Sequence, residues 1–267
     1  MSNLLKLQQR ADAGEKLAFL TAYDASFAAL MQTSGVDAVL VGDTLGMVIQ
    51  GQRSTLPVTL ADITYHTAAV ARGAPDTFII ADLPFGSYQA NPAQALQSAA
   101  TLMAAGAHCI KLEGGAVMAN TVAFLTARGI PVCGHLGLLP QSVHAIGGYK
   151  VQAKTAAAAQ QLIDDAKLLA RSGACMIVVE AIPSQVAKAV TSAITVPVIG
   201  IGAGADCNGQ VLVIYDLLGI SPGKTPRFAR NFMAESSGIA AAISAYVAAV
   251  KNVSFPAAEH CYLADPS

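Results

Sequence analysis

No stretch of this chain approaches the roughly 20 consecutive apolar residues that a membrane-spanning helix requires. Apolar residues fill 54% of the 267 positions, yet they come in short runs broken by Gly, Pro and Asp. Charge is scarce as well. Asp, Glu, Lys and Arg make up 12% of the chain and sum to a net −1, so no broad basic field suits it to nucleic acid. The opening MSNLLKLQQRADAGEK turns polar after a few residues and has no long apolar core, which argues against a secretory leader. The five cysteines (Cys109, Cys133, Cys175, Cys207, Cys261) are scattered and odd in number. That spacing fits neither a disulfide framework nor a zinc site, and buried free thiols in a reducing cytoplasm are expected. The low charge content also suggests that partner subunits cover part of the surface.

What the chain does carry is alternation. Short β-rich runs at 17–24, 37–43, 77–84, 109–115, 131–138, 175–183 and 197–204 alternate with Ala-rich helical runs, and 210–219 reads equally as strand or helix. Helices are expected at 25–35, 60–74, 91–107, 116–129, 154–174, 184–194 and 238–252. Asn91-Pro92 offers an N-cap and first-turn pair, and Gly closes several helices just before a strand. Such repetition implies parallel strands joined by crossover helices. About eight units in 267 residues predict an α/β fold, a (β/α)8 TIM barrel forming a single domain over 1–267, with a short N-terminal extension and a C-terminal tail. A doubly wound sheet is the rival, but it places a Gly-rich turn after its first strand, where this chain has TAYDAS.

In such a barrel the site lies at the C-terminal strand ends. Those ends carry Asp43, Asp82, Lys111 with Glu113, His135 and Glu180. Period-two alternation groups Asp43 with Val39 and Val41, Asp82 with Ile80, Glu180 with Met176 and Val178, and Lys111 with Glu113, so each carboxylate is expected to top an inward row. Carboxylates gathered at one mouth repel one another, a cost that a hard divalent cation removes. Mg²⁺ takes one or two carboxylates with water and substrate oxygens. Asp43 and Asp82 are the expected ligands, with Glu113 joining directly or through water. Lys111 would hold a substrate anion or offset the carboxylate charge, leaving Glu180 available as a base.

Plainer readings compete at each position. Asp43 and Asp82 are also turn formers. Lys111 and Glu113 also fit a structural ion pair, Glu180 a salt bridge to an Arg, and His135 a satisfied barrel histidine. His66 and His108 are expected to be structural or on the surface, and His144 and His260 have no assignable role. Tyr23 and Asp24 either line the pocket or, for Asp24, cap a helix. GIGAG (200–204) reads as a phosphate cradle or as a tight turn with close packing. The long Gly-rich segment after the fifth strand suits a lid or an oligomer contact.

Taken in order, TAYDASFA, VGDTLGMVIQG, STLPVTLADITYHTAAVARGAP, ADLPFGSY, KLEGG, PVCGHLGLLPQS, GGYKVQ, VVEAIP and PVIGIGAG resemble the ketopantoate hydroxymethyltransferase family, from about Thr21 to FPAAEH. The resemblance implies Mg²⁺, a 5,10-methylenetetrahydrofolate donor, 3-methyl-2-oxobutanoate as acceptor, 2-dehydropantoate as product in pantothenate biosynthesis, and a homodecamer of two pentameric rings. It implies metal binding by Asp43, Asp82 and Glu113, and substrate contacts by Asp43, Thr44, Asp82 and Lys111. It makes Glu180 the proton acceptor at C3. His135, from its place at the mouth, is expected to hydrogen-bond the substrate or the proton path. The alternatives are a metal-dependent 2-oxo acid lyase of the phosphoenolpyruvate/isocitrate-lyase type, a phosphate-ester enzyme using GIGAG, and a non-catalytic assembly subunit.

Overall fold

Eight parallel strands close into a barrel in chain order, with the last pairing back to the first. They are β1 (Leu17–Thr21), β2 (Ala38–Val41), β3 (Phe78–Asp82), β4 (Cys109–Glu113), β5 (Val132–Gly137), β6 (Met176–Glu180), β7 (Val198–Ile201) and β8 (Gly209–Leu212). The computed structural model describes residues 3–221, 223 and 225–264, so the ends of the predicted N-terminal extension and C-terminal tail lie outside the described residues. The helices are α1 (Asn3–Asp12), α2 (Ala25–Thr33), α3 (Leu45–Val48), α4 (Leu60–Gly73), α5 (Pro92–Ala104), α6 (Ala119–Thr126), α7 (Ala156–Arg171), α8 (Ser184–Ala193), α9 (Ile214–Leu217) and α10 (Ile239–Lys251). Two of them, α1 and α3, are absent from the sequence reading. The first follows from apolar residues at helical spacing, with Leu7 and Ala11 buried and Leu4 packed against the core. The ambiguous 210–219 segment divides into strand β8 and helix α9.

Local chemistry starts and stops the helices where the turns demand it. Asn91 accepts from the Gln94 N–H ahead of Pro92 and opens α5, and Thr59 and Asp62 form a reciprocal capping box on α4. Gly106 (φ +111°) and Gly173 (φ +100°) reverse the chain after α5 and α7.

Register decides which side chains face inward. Paired residues on parallel strands share a face, so Asp82, Lys111 and Cys133 form one level, and Glu113, His135, Val178 and Ile199 another. The β8–β1 seam is pinned from outside by Tyr246 of α10, a fully buried residue whose hydroxyl lies 2.9 Å from the Phe19 carbonyl and 3.1 Å from that of Gln210. The same seam is tight within. A Cβ on Gly209 would stand 2.5 Å from the Leu17 carbonyl oxygen and 2.9 Å from Ile199 Cδ1. Gly209→Ala is therefore expected to cost roughly 1–3 kcal/mol through overpacking. Urea unfolding measures it, and an unchanged midpoint would show that the seam is slack.

Candidate active site

The strand ends converge as the barrel requires. Thr21, Asp43, Thr44, Asp82, Lys111, Glu113, His135 and Glu180 line one small pocket at the C-terminal mouth. Asp82, Lys111, Glu113, His135 and Glu180 lie on inward rows, as alternation implies, with Asp82, Glu113 and Glu180 at the strand ends. Asp43 arrives differently. Leu40 faces the pocket, and a Cβ on Gly42 would lie 3.6 Å from Asp82 Oδ2, so the inward row of β2 is the one containing Leu40 and Gly42. Val39 and Val41 belong to the opposite face, and the expected grouping of Asp43 with them is wrong. The strand ends at Val41, and Asp43 reaches the mouth through the turn leading into α3. Its N–H donates to Asp82 Oδ2 at 3.0 Å. Thr44 begins α3 with its hydroxyl not engaged in capping.

The cluster is charged and dry. Asp43, Asp82, Lys111, Glu113 and His135 are all buried, while the Glu180 side chain keeps 16% exposure at the rim. Lys111 Nζ pairs with Asp82 Oδ1 at 3.1 Å, across the β3–β4 register, and not with Glu113. His135 stands between two carboxylates, with Nδ1 3.4 Å from Glu113 Oε1 and Nε2 3.2 Å from Glu180 Oε2. Its Nδ1 is also 3.3 Å from Lys111 Nζ. Glu180 thus has His135, not an Arg, as its charged neighbour among the described residues. Its backbone is held firmly. The Glu180 carbonyl accepts from the Leu138 N–H at 2.8 Å, and the next residue, Ala181, sits at φ +47°, a conformation that costs a non-glycine residue about 1–2 kcal/mol.

Burial, together with the charges of Asp82 and Glu113, pushes Asp43 up to about 8. Burial also raises Asp82, against the pull of Lys111. Burial works against the charged forms of Glu113 and His135, yet their mutual contact outweighs it, keeping Glu113 below and His135 above its ordinary range. Asp82 Oδ1, Glu113 Oε1 and His135 Nε2 are buried without an aligned hydrogen bond. Carboxylate oxygens of Asp82 and Glu113 that are held by charge contact alone, next to Asp43, match what a hard divalent ion takes. Among the described residues no three His, Cys, Asp or Glu side chains are arranged to hold an ion by themselves. A hard divalent ion held here would complete its shell with water and substrate oxygens.

The sequence reading missed Gln141 and Tyr88. Gln141 lies in the loop after β5 and is fully engaged. Its Nε2 donates to Asp43 Oδ2 (2.8 Å) and to the Leu83 carbonyl (2.9 Å), and its N–H donates to Glu113 Oε2 (3.0 Å). Its Oε1 accepts from the Tyr88 hydroxyl at 2.7 Å, and that hydroxyl accepts from the Glu113 N–H at 3.1 Å. A neutral Gln in LLPQS and a Tyr in FGSY give no pattern by which to find them in sequence.

Other candidates resolve to structural parts. Asp24 caps α2 by accepting from the Phe27 N–H. Tyr23 is buried without lining the pocket. His66 Nδ1 meets the Tyr23 carbonyl, and His108 stacks on Phe78 and accepts from the Ile79 N–H. His260 Nδ1 accepts from the Ala257 N–H in a terminal turn. In GIGAG a Cβ on Gly202 would meet the Phe228 ring at 2.7 Å, and one on Gly204 would meet Ser184 at 2.6 Å, in keeping with the close-packing reading.

Two predictions follow from this geometry. Gln141→Ala leaves the Asp43 carboxylate and the Leu83 carbonyl without donors, and is expected to cost about 1–3 kcal/mol in urea unfolding. An unchanged midpoint would mean that the bonds are dispensable. Asp43, Asp82 and His135 each hold a proton more tightly folded than unfolded, so stability falls as pH rises through the interval between the two values. Without divalent ions the unfolding midpoint should drop as pH rises from about 5 to about 8, and Asp43→Asn should flatten that slope. A rising midpoint contradicts this.

The family model described as ketopantoate hydroxymethyltransferase matches residues 2–258. A 3-methyl-2-oxobutanoate hydroxymethyltransferase of Thiobacillus denitrificans is 60% identical over 262 residues, covering 98% of both chains. One of Neisseria gonorrhoeae is 58% identical over 256 residues, 96% of this chain and 97% of the relative. Solved structures with the same fold include a 2,3-dimethylmalate lyase of the PEP mutase/isocitrate lyase superfamily (TM-score 0.58, 16% identity, 79% of this chain and 81% of that one). A phosphonopyruvate hydrolase complexed with oxalate and Mg²⁺ also shares it (TM-score 0.62, 15% identity, 80% and 81% covered). With a family match from residue 2 to 258 and relatives near 60% identity along almost the whole chain, this protein belongs to the ketopantoate hydroxymethyltransferase family of enzymes.

Proposed function

We propose that the enzyme transfers a hydroxymethyl group from 5,10-methylenetetrahydrofolate to 3-methyl-2-oxobutanoate, giving 2-dehydropantoate for pantothenate synthesis. The observation that carries the reading is Glu180, the one rim-exposed carboxylate of the cluster, 3.2 Å from His135 and beside the buried Asp43–Asp82 pair. Asp43 and Asp82 would hold Mg²⁺, with Glu113 joining directly or through water. The ion when bound supplies Lewis-acid stabilisation of charge developing on the substrate's keto oxygen.

The chain's own groups do the rest. Lys111, kept charged by its carboxylate neighbours despite its burial, anchors the substrate carboxylate. Thr44 offers its hydroxyl to the substrate from the start of α3. Glu180 takes the proton from C3, and its rim position lets that proton pass to solvent. The substrate carbon then bonds to the one-carbon unit, both of whose bonds to folate nitrogens break in the overall transfer; water supplies the hydroxyl, and a proton from water together with one equivalent to that taken from C3 ends on the two nitrogens of tetrahydrofolate. His135, between Glu113 and Glu180, orients the base. Family membership also supports a homodecameric assembly.

The test is C3 deuterium exchange of 3-methyl-2-oxobutanoate followed by NMR, with Mg²⁺ present and folate absent. Glu180→Gln is expected to slow exchange by at least about 100-fold, the scale of a lost general base. Equal exchange in both proteins would remove Glu180 from the role. Full turnover should require the folate. Turnover without it would instead favour the lyase reading, which shares this fold.

A further inference from the structure

The pocket at the strand ends is small, about 40 Å³. A second cavity of about 570 Å³ opens between the loop after β2 and the loop after β5. Arg53 and Ser54 wall it on one side, and Val143, His144 and Tyr149 with two glycines on the other. Its size lies within the roughly 300–1,000 Å³ range of small-molecule sites.

Three observations give this space a purpose. The first is position. Tyr149 Oη is 3.5 Å from Met47 Sδ, and Met47 lies in α3, directly after Asp43 and Thr44. Tyr149 is thus shared between the cavity wall and the surroundings of the reaction pocket. Partial burial and the charges of Asp43, Glu180 and Glu113 all raise its phenol. The second is charge. The wall contains Arg53 and His144 and no carboxylate, and Lys150 Nζ reaches over it to within 3.5 Å of where a Cβ on Gly147 would stand. Arg53 has no carboxylate partner among the described residues, although other surface cations of this chain do, as Lys188–Asp206 and Arg230–Glu235 show. The third is shape. Tyr149 presents a half-exposed aromatic face, able to stack a flat ring.

We propose that this second cavity seats the one-carbon donor, and the inference rests on the folate-dependent reading above. Tyr149 packs the donor's flat heteroaromatic portion at the edge of the reaction pocket, and Arg53 with Lys150 pairs with its glutamyl carboxylates. A planar guanidinium matches a carboxylate in two-point contact, and Lys150 adds a point charge. The donor and the 2-oxo acid then occupy adjoining spaces that meet at Thr44 and Met47.

Calorimetric titration of tetrahydrofolate tests the assignment on wild type, Arg53→Ala, Tyr149→Ala and Arg53→Ala/Lys150→Ala. The 2-oxo acid is titrated with Mg²⁺ into the same samples. The expected result is a loss of about tenfold or more in tetrahydrofolate affinity, the scale of a lost charge-assisted contact, and several times larger than any change for the 2-oxo acid. Wild-type affinity for tetrahydrofolate in all the variants would overturn the cavity assignment and leave the folate reading standing. Parallel loss of both ligands would also overturn it, since the residues would then be supporting the whole mouth. Failure of wild type to bind tetrahydrofolate would sink the folate reading, and this inference with it.

Discussion

Four carboxylates meet one lysine and one histidine at the mouth of an apolar barrel, and most of them have been removed from water. That crowding is the constraint around which the local architecture is arranged. Isolated buried carboxylates are driven to keep their protons. Here the opposing charges divide the set. Lys111 sits on Asp82, His135 sits on Glu113, and Asp43, bonded to the neutral Gln141, is pushed up to about 8. A buried ion pair is weak evidence for stability, and a buried excess of carboxylate is weaker still. The cluster therefore reads as a cost borne by the rest of the barrel, where Val, Ile, Leu and Ala rows lie fully buried on every strand.

The neutral residues around the cluster keep it from collapsing. Gln141 fastens the loop after β5 to Asp43, to Glu113 and to the Leu83 carbonyl, and Tyr88 locks Gln141 in turn. One oxygen each of Asp43, Asp82 and Glu113 is thus fixed by a neutral donor, and the second oxygens of Asp82 and Glu113 lie against Lys111 and His135. The left-handed Ala181 and the Leu138–Glu180 backbone bond fix Glu180 in the same way, through main chain. Supporting hydrogen bonds of this kind, placed on rigid strand ends, hold a site to the tolerance that chemistry needs.

The barrel and most of the mouth were legible because they follow from periodicity. Alternation reveals a strand's inward row, and a charged residue near the top of such a row stands out against apolar neighbours, as Asp82, Lys111, Glu113 and Glu180 do. Asp43 shows the limit of that method. It was rightly placed at the mouth and wrongly placed on a row, because β2 ends two residues earlier and the turn, not the pleat, aims it. Gln141 and Tyr88 were hidden for a different reason. Their roles arise from contacts across 98 and 25 positions in sequence, and a neutral amide or phenol carries no signature of burial. The helix α1 was hidden because its apolar stripe of Leu4, Leu7 and Ala11 is short and ends among polar residues.

The central claim is that the charge cluster is tuned for a divalent ion and not for the stability of the empty barrel. Thermal unfolding of wild type and Asp43→Asn, each with and without Mg²⁺, tests it most directly at a mildly alkaline pH. The account predicts that without Mg²⁺ the variant melts higher than wild type, because a like charge has been removed, and that Mg²⁺ raises the melting point of wild type much more than that of the variant. A variant that melts lower than wild type, with no response to Mg²⁺ in either protein, would contradict it.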